Sequence, residues 1–259
     1  DPTWISVPAR SFSAGGAPTI ATMDVPILDI HELLDYLCNE VKIQCPHDQV
    51  REYWKHLRDV KMPFALSHPG TDQHVPFSIY GDECVIGQDP HDKVLGLFIS
   101  LTLFRPRSVR RGQFLVFAMH VDSMINDELA TLMPVLQHLV WSANMAFEGR
   151  YPVTAMDGSP LPPKKQARAG RAIGRCFACC EIKGDWKFHE KWLRLIRTPV
   201  SVNPCFLCNA QNRDNDMRYY NTDEDAAWID TEVDTRNFIS DMLRPGPISA
   251  MAGDDDHDD

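Results

Sequence analysis

The chain has 259 residues, 44% of them hydrophobic, enough for one well-filled core with appendages or for two small domains. No run approaches the ~20 uninterrupted apolar residues of a membrane span, and the opening Asp1-Pro2-Thr3-Trp4 lacks the basic and apolar regions of a secretory signal. The net charge of −10 sits at the end of the chain: residues 214–259 hold 14 acids against 3 bases, which leaves +1 on residues 1–213, so the acidic average does not exclude a nucleic-acid partner.

Residues 1–22 are rich in Pro, Gly, Ser and Ala without a period and predict a flexible leader. A small helical preface is expected over residues 23–70. Asp29 is placed to cap a helix carrying Ile30, Leu33, Leu34 and Leu37 on one side. A second helix is expected over 48–61, between Pro46 and Pro63, with Val50, Tyr53, Trp54 and Leu57 on one face.

A β-rich part follows. Residues 75–80 form the first predicted strand, which ends in Gly81-Asp82-Glu83. Residues 94–104 are almost continuously apolar, as in a strand buried on both faces, and residues 113–119 form the third. The link between the second and third holds Arg105, Arg107, Arg110 and Arg111 beside Pro106 and Gly112, a hairpin with a basic tip. A long helix is predicted over 126–148, capped by Asn126, with Pro134 giving at most a kink. The loop that follows carries Lys164, Lys165, Arg168, Arg171 and Arg175 without an acid in its second half. Residues 175–183 form the fourth predicted strand, ending in Gly184-Asp185, and a short helix is expected over 187–196. Beyond residue 213 the chain is acidic and weakly patterned, with one short helix expected over 237–243 and disorder over 254–259. The expected class is therefore α/β (α+β): a mixed sheet flanked by helices over 71–213, after a preface and before a disordered acidic tail over 214–259.

Three constellations carry chemistry. Asp82 and Asp185 each follow a glycine, so each backbone can turn sharply where its strand ends. Brought side by side, two carboxylates repel unless a cation lies between them, and Mg²⁺ with its oxygen ligands suits phosphoryl transfer. The bland alternative is a pair of Gly-Asp turns. Glu83 is expected to face away. Cys176, Cys179, Cys205 and Cys208 spell CxxC-x25-CxxC, a spacing that can bind Zn²⁺ through four thiolates. Residues 175–183 cannot be both a strand and a zinc knuckle, so buried free thiols remain the alternative, with Cys205/Cys208 the better half-site and Cys180 or His189 further candidates. Thiol clustering without a secretory signal points to a reducing, intracellular compartment. The basic groups Arg105, Arg107, Arg110, Arg111, Lys164, Lys165 and Arg168 could neutralise phosphates or simply face solvent. Trp186 could stack a base, Trp192 reads as core, and His120 with Asp122 is a polar neighbour.

Ile79-Tyr80-Gly81-Asp82-Glu83, Phe104-Arg105-Pro106-Arg107-Ser108 and Lys183-Gly184-Asp185-Trp186-Lys187, followed by Cys205-x-x-Cys208, resemble transposon-derived proteins present in many copies in some protist genomes. More broadly they resemble cut-and-paste DDE transposases with a ribonuclease-H-like core. The resemblance covers residues 75–208. It implies a sheet whose first and fourth strands are neighbours, Asp82 and Asp185 as Mg²⁺ ligands, Cys205 and Cys208 as the CxxC that follows the second acid, DNA as partner and a nuclear location. Such enzymes need a third acid on a late helix. Glu224 and Glu232 are available but lack such a helix, and no N-terminal DNA-binding domain is evident. The implied state is a degenerate or truncated element, in keeping with a chain that starts without Met. A non-catalytic, zinc-stabilised interaction module is the competing expectation.

Overall fold

The computed structural model describes residues 1–12, 16–68, 70, 72–89, 92–195, 200–205 and 207–232. The chain divides into two compact units, Asp1–Phe188 and His189–Asp259. The helix expected over 237–243 and the disorder expected over 254–259 lie outside the described residues.

The first unit opens with a hairpin, β1 (Thr3–Ser11) and β2 (Thr19–Ile27), paired antiparallel from Thr3↔Ile27 to Ser11↔Thr19. This overturns the flexible leader. Ile5, Val7 and Ala9 alternate along β1, and Val7 and Ala9 are fully buried, which is the period of a strand with one face inward. The chain leaving β2 reaches the main sheet, where the Leu28 N–H donates to the Val116 carbonyl.

Three helices follow: α1 (Ile30–Asn39), α2 (His47–Asp59) and α3 (Pro63–Ser67). The buried stripe of α1 is Ile30, His31, Leu34 and Leu37, and that of α2 is Val50 and Trp54. Asp29 precedes α1 but makes no capping hydrogen bond with its side chain.

The central sheet has the order β5–β4–β3–β6, built from β3 (Val75–Val85), β4 (Lys93–Leu101), β5 (Phe114–His120) and β6 (Phe177–Gly184). β3, β4 and β5 form an antiparallel meander, and β6 joins the other side of β3 in parallel. A parallel neighbour needs a crossover. Here the crossover contains α4 (Leu132–Glu148) and the single turn α5 (Pro163–Gln166), and α4 packs against β6, α1 and β1. On one face of the sheet Phe77, Leu95, Leu97, Ile99, Leu101 and Phe117 are fully buried. On the other, Tyr80, Asp82 and Phe98 are half-buried and Cys84, Leu115 and Ala118 are exposed.

The long helix is shorter than its apolar spacing predicts. Asp127–Leu129 is a separate 3₁₀ turn in which Glu128 and Leu129 have φ of 50° and 56°, so Asn126 caps no α-helix. Pro134 then falls in the first turn of α4, where its missing N–H has no intrahelical acceptor to lose, so no kink is needed. At the other end Gly149 takes φ 66°, and a Cβ there would lie 2.8 Å from Cys176 Sγ, so glycine both ends the helix and lets β6 begin beside it.

α6 (Trp186–Trp192) is shorter than expected, and the boundary between the two units falls within it. In the second unit Gln211 bridges to Arg218, Asn209 N–H donates to the Thr231 hydroxyl, and Trp228 Nε1 donates to the Asn221 carbonyl. Residues 214–232 of the expected disordered tail therefore carry defined contacts.

Candidate functional site

The two Gly-Asp pairs meet in the structure. Gly81 and Gly184 are register partners on the parallel strands β3 and β6, and such strands lie about 4.8 Å apart. The reason for the glycines differs from the turn expected. β3 does not turn at Gly81 but runs on to Val85. The Phe188 ring, fully buried, fills the space over both glycines: a Cβ on Gly81 would lie 1.9 Å from it and a Cβ on Gly184 2.3 Å. Alternation along β3 then sends Asp82 to the face opposite Phe188, the half-exposed face that also carries Tyr80. Glu83 falls on the Gly81 side, as its expected orientation away from Asp82 requires.

Each carboxylate has one fixed oxygen. The Tyr80 hydroxyl donates to Asp82 Oδ2 at 2.8 Å, and the Phe188 N–H donates to Asp185 Oδ1 at 2.6 Å, a cap on the first turn of α6. The Tyr80 hydroxyl is pushed up to about 12, first by burial, then by its bond to Asp82 and by the charges of Asp82 and Asp185. One phenol thus senses both acids. Beside Asp82 across the β3–β4 ladder is Gly96, and Phe98 covers it, stacking against Tyr80 with ring centroids 6.2 Å apart. At the same end of the sheet His120 Nε2 lies 2.7 Å from Asp92 Oδ1, and the Asp122 N–H donates to His120 Nδ1.

The basic residues are placed elsewhere. β4 runs from the Asp82 end to the far end, so the link with Arg105, Arg107, Arg110 and Arg111 leaves the sheet five residues beyond Gly96, roughly 17 Å away at 3.4 Å per residue. Arg107, Arg110 and Arg111 are exposed, and Arg105 joins Tyr53, His56 and Phe104 around an open cavity of about 730 Å³. Lys164 is exposed and pairs with Asp1. Lys165 is turned inward: its ammonium contacts Asp29 Oδ2 at 2.5 Å, Thr3 Oγ1 at 2.6 Å and Glu32 Oε1 at 3.2 Å. Arg168 pairs with Glu32 at 3.1 Å and stacks on the Tyr151 ring. Lys165 and Arg168 are therefore engaged by internal carboxylates.

These contacts belong to a buried network that sequence reasoning missed. Asp29, read as a helix cap, instead holds His138 Nε2 at 2.6 Å and Lys165. Burial pushes the Asp29 carboxyl up, but the His138 hydrogen bond and the Lys165 charge outweigh it and hold the group well below the usual carboxylate range. His31 Nδ1 meets the Ser142 hydroxyl at 2.8 Å, and burial holds this imidazole down to about 4 against the pull of Asp29 and Glu32. Asp29, His31 and Glu32 offer ligand atoms within 4.8 Å of one another, the one such group of three among the described residues. The Lys165 ammonium stands between two of these carboxylates, where a cation would. An ammonium there makes an ion-pair cluster out of what could otherwise be a metal site. The signal in the sequence was His138 and Ser142 on the apolar stripe of α4, four residues apart among Val135, Leu139 and Ala146.

The thiols fall in both units. Cys179 lies inside β6, so Cys176 and Cys179 form a strand entry and not a zinc knuckle. Cys180 is the extra residue of a bulge between the pairs Phe77↔Cys179 and Ser78↔Glu181. Burial pushes the Cys179 thiol up to about 11 and the Cys180 thiol to about 12, which keeps both protonated at neutral pH. In the second unit the Leu207 N–H donates to Cys205 Sγ at 3.3 Å.

No helix among the described residues is long and apolar enough to cross a membrane. Comparison of the chain with models of protein families, with curated proteins and with solved structures found no match.

Proposed function

We propose that the first unit is a ribonuclease-H-like core of the DDE transposase type, in which Asp82 and Asp185 hold a divalent cation for phosphoryl transfer on DNA. The observation that carries this is the pairing of β6 with β3: an antiparallel three-strand meander, a helical crossover, and a fourth strand parallel to the first, with an acid one residue past each of two facing glycines. The fixed oxygens, Asp82 Oδ2 and Asp185 Oδ1, are held by Tyr80 and Phe188. Among the described residues no donor reaches Asp82 Oδ1 or Asp185 Oδ2, which remain as the ligand atoms. Mg²⁺ fits such a pair because it needs only one or two carboxylates and fills its octahedron with water and phosphate oxygens. When bound, the cation activates a water or a 3′-hydroxyl towards the phosphodiester. Asp82 and Asp185 bind and orient it, and Tyr80 fixes the Asp82 rotamer. The arginines of the β4–β5 link would contact phosphates away from the scissile bond. Two acids without an assigned third among the described residues make a weak catalyst.

The test is nicking of supercoiled plasmid with Mg²⁺ or Mn²⁺. Nicking that depends on the metal and disappears in both Asp82→Asn and Asp185→Asn supports the proposal. Nicking that survives either change removes it. Asn is chosen because it still accepts from Tyr80 and still caps α6.

A second reading rests on one observation, the Leu207 N–H to Cys205 sulfur bond, a geometry that favours thiolate ligation in a CxxC turn. In that reading the second unit binds Zn²⁺ through Cys205 and Cys208 and serves as an interaction module. Zinc analysis of the purified chain distinguishes the two, since a zinc-loaded protein without Mg²⁺-dependent nicking fits only the module.

A further inference from the structure

The β1–β2 hairpin leaves one strand edge open. β1 is backed on its other side, where Ala9 bridges to Met124 and the Pro8 carbonyl accepts from the Thr131 hydroxyl. β2 pairs with β1 and with no other strand. The end of β2 is tied to the main sheet by the Leu28 N–H and the Val116 carbonyl, but residues 19–24 are exposed on both faces of the ribbon. Among the described residues no hydrogen bond reaches the backbone of 19–24 from the side away from β1. Sheets commonly guard such an edge with a lysine, a proline, a bulge or an inward charge. Here the guards are missing. Thr19-Ile20-Ala21-Thr22-Met23 carries no charge and no proline. The register with β1 runs unbroken from Thr3↔Ile27 to Ser11↔Thr19, so no bulge twists the edge away. The one acid of β2, Asp24, is turned back across the hairpin and accepts from Ser6 Oγ at 2.6 Å. Ile20 is 73% exposed and Met23 38%. A two-stranded ribbon bare on both faces is marginal in water and gains from a further strand.

We propose that this edge pairs with the same edge of a second copy of the chain, antiparallel, so that two hairpins join into one four-stranded sheet. An open row of N–H and C=O groups is matched by another extended backbone. The second copy is the partner the edge itself selects. A two-fold axis perpendicular to the ribbon beside β2 maps the edge onto itself, so each copy supplies the donors and acceptors the other lacks. β-branched and apolar side chains then meet their own kind, which favours an antiparallel ladder. Residues 19–23 hold no charge to oppose its own image. A six-residue ladder spans only about 20 Å. That is small beside a standard interface, so the association is weak and depends on concentration.

The test is sedimentation equilibrium of the full-length chain from low micromolar to submillimolar concentration, with amide hydrogen exchange at both ends of that range. A shift from one copy to two is expected, with slower exchange over 19–24 in the dimer. A chain that stays monomeric throughout overturns the proposal. So does a dimer in which exchange over 19–24 is unchanged, since its interface lies elsewhere. A monomer whose residues 19–24 are already protected overturns it too, because another part of the same chain then covers the edge. The double change Ile20→Lys, Thr22→Lys places like charges on the edge at two exposed positions, and circular dichroism checks that the fold is kept. It is expected to weaken dimerisation by about tenfold or more, and a dimer of unchanged strength would contradict the pairing.

Discussion

Two clusters of charge in the first unit make an instructive contrast. At the end of the β3–β6 ladder, Asp82 is half-buried and Asp185 exposed, each with one oxygen held by a single donor. Between α1 and the crossover, Asp29, Glu32, His138 and Lys165 are enclosed with Arg168 at the edge; Asp29 meets His138 Nε2 and the Lys165 ammonium, and Glu32 meets Lys165 and Arg168. The enclosed cluster has the perturbed pKa values and the compact ligand set that often mark a functional site. It also has its own cation, in the form of a lysine. The exposed pair keeps open oxygens facing solvent. Completeness argues for a structural role and incompleteness for a functional one. Shifted pKa values alone point to the enclosed cluster, whose charges already have their partners.

If that contrast holds, breaking the enclosed cluster costs the most stability. Asp29→Ala leaves the Lys165 ammonium, whose side chain is 13% exposed, and His138 facing a cavity, and should destabilise the fold by about 3–5 kcal/mol in urea titrations. A loss below about 1 kcal/mol, the level of an exposed pair, would mean that the network is far more hydrated than its burial implies.

The pH dependence follows from the same cluster. The His31 pKa is depressed in the folded state to about 4, against 6.5 unfolded. Between those values the unfolded chain takes up a proton that the folded chain refuses, so stability is fully present above about pH 6.5 and is lost as pH falls towards 4. The gap corresponds to about 3 kcal/mol, at 1.36 kcal/mol for each pH unit. Asp29 adds its own loss only below the unfolded carboxylate value near 4. Chemical denaturation from pH 7.5 to 4 should show this early decline, and His31→Gln should flatten it.

The exposed pair predicts smaller structural effects. Gly81→Ala forces a Cβ into the Phe188 ring and should cost about 1–3 kcal/mol. The same change made in Phe188→Ala should cost much less, since its obstacle has gone, and this coupling can be read by a double-mutant cycle. Smallest is the cap. Asp185→Ala should lose about 1 kcal/mol from the Phe188 N–H bond, and Asp185→Asn a few tenths or nothing. A large loss in the Asn variant would assign the negative charge of Asp185 to folding.

Much of the sheet was legible in the sequence. The continuous apolar run of β4 and the strand–strand–strand–helix–strand order give the four strands that pair, because burial on both faces and a crossover helix leave strong local patterns. The glycines before Asp82 and Asp185 were visible, but their cause was not: Phe188 over both is a tertiary contact with no local signature. The hairpin of residues 3–27 was hidden by Pro8, Pro26 and the polar outer face, which masked the alternation of Ile5, Val7 and Ala9. Asp29 shows the limit of cap rules, since an acid before a helix reads as a cap whether it faces the backbone or a histidine and a lysine distant in sequence. Lys165 and Arg168 show the same limit for basic loops, whose internal partners lie far away along the chain.

The central claim is that Asp82 and Asp185 share a cation, and Mn²⁺ binding by electron paramagnetic resonance tests it most directly. The wild-type chain should bind Mn²⁺ weakly at neutral pH, Mg²⁺ should displace it, and Asp82→Asn and Asp185→Asn should each abolish it with the fold intact. Binding that persists in both variants, or that vanishes on changing Asp29 but not Asp82, would contradict the account and return the exposed pair to the role of two ordinary strand-end acids.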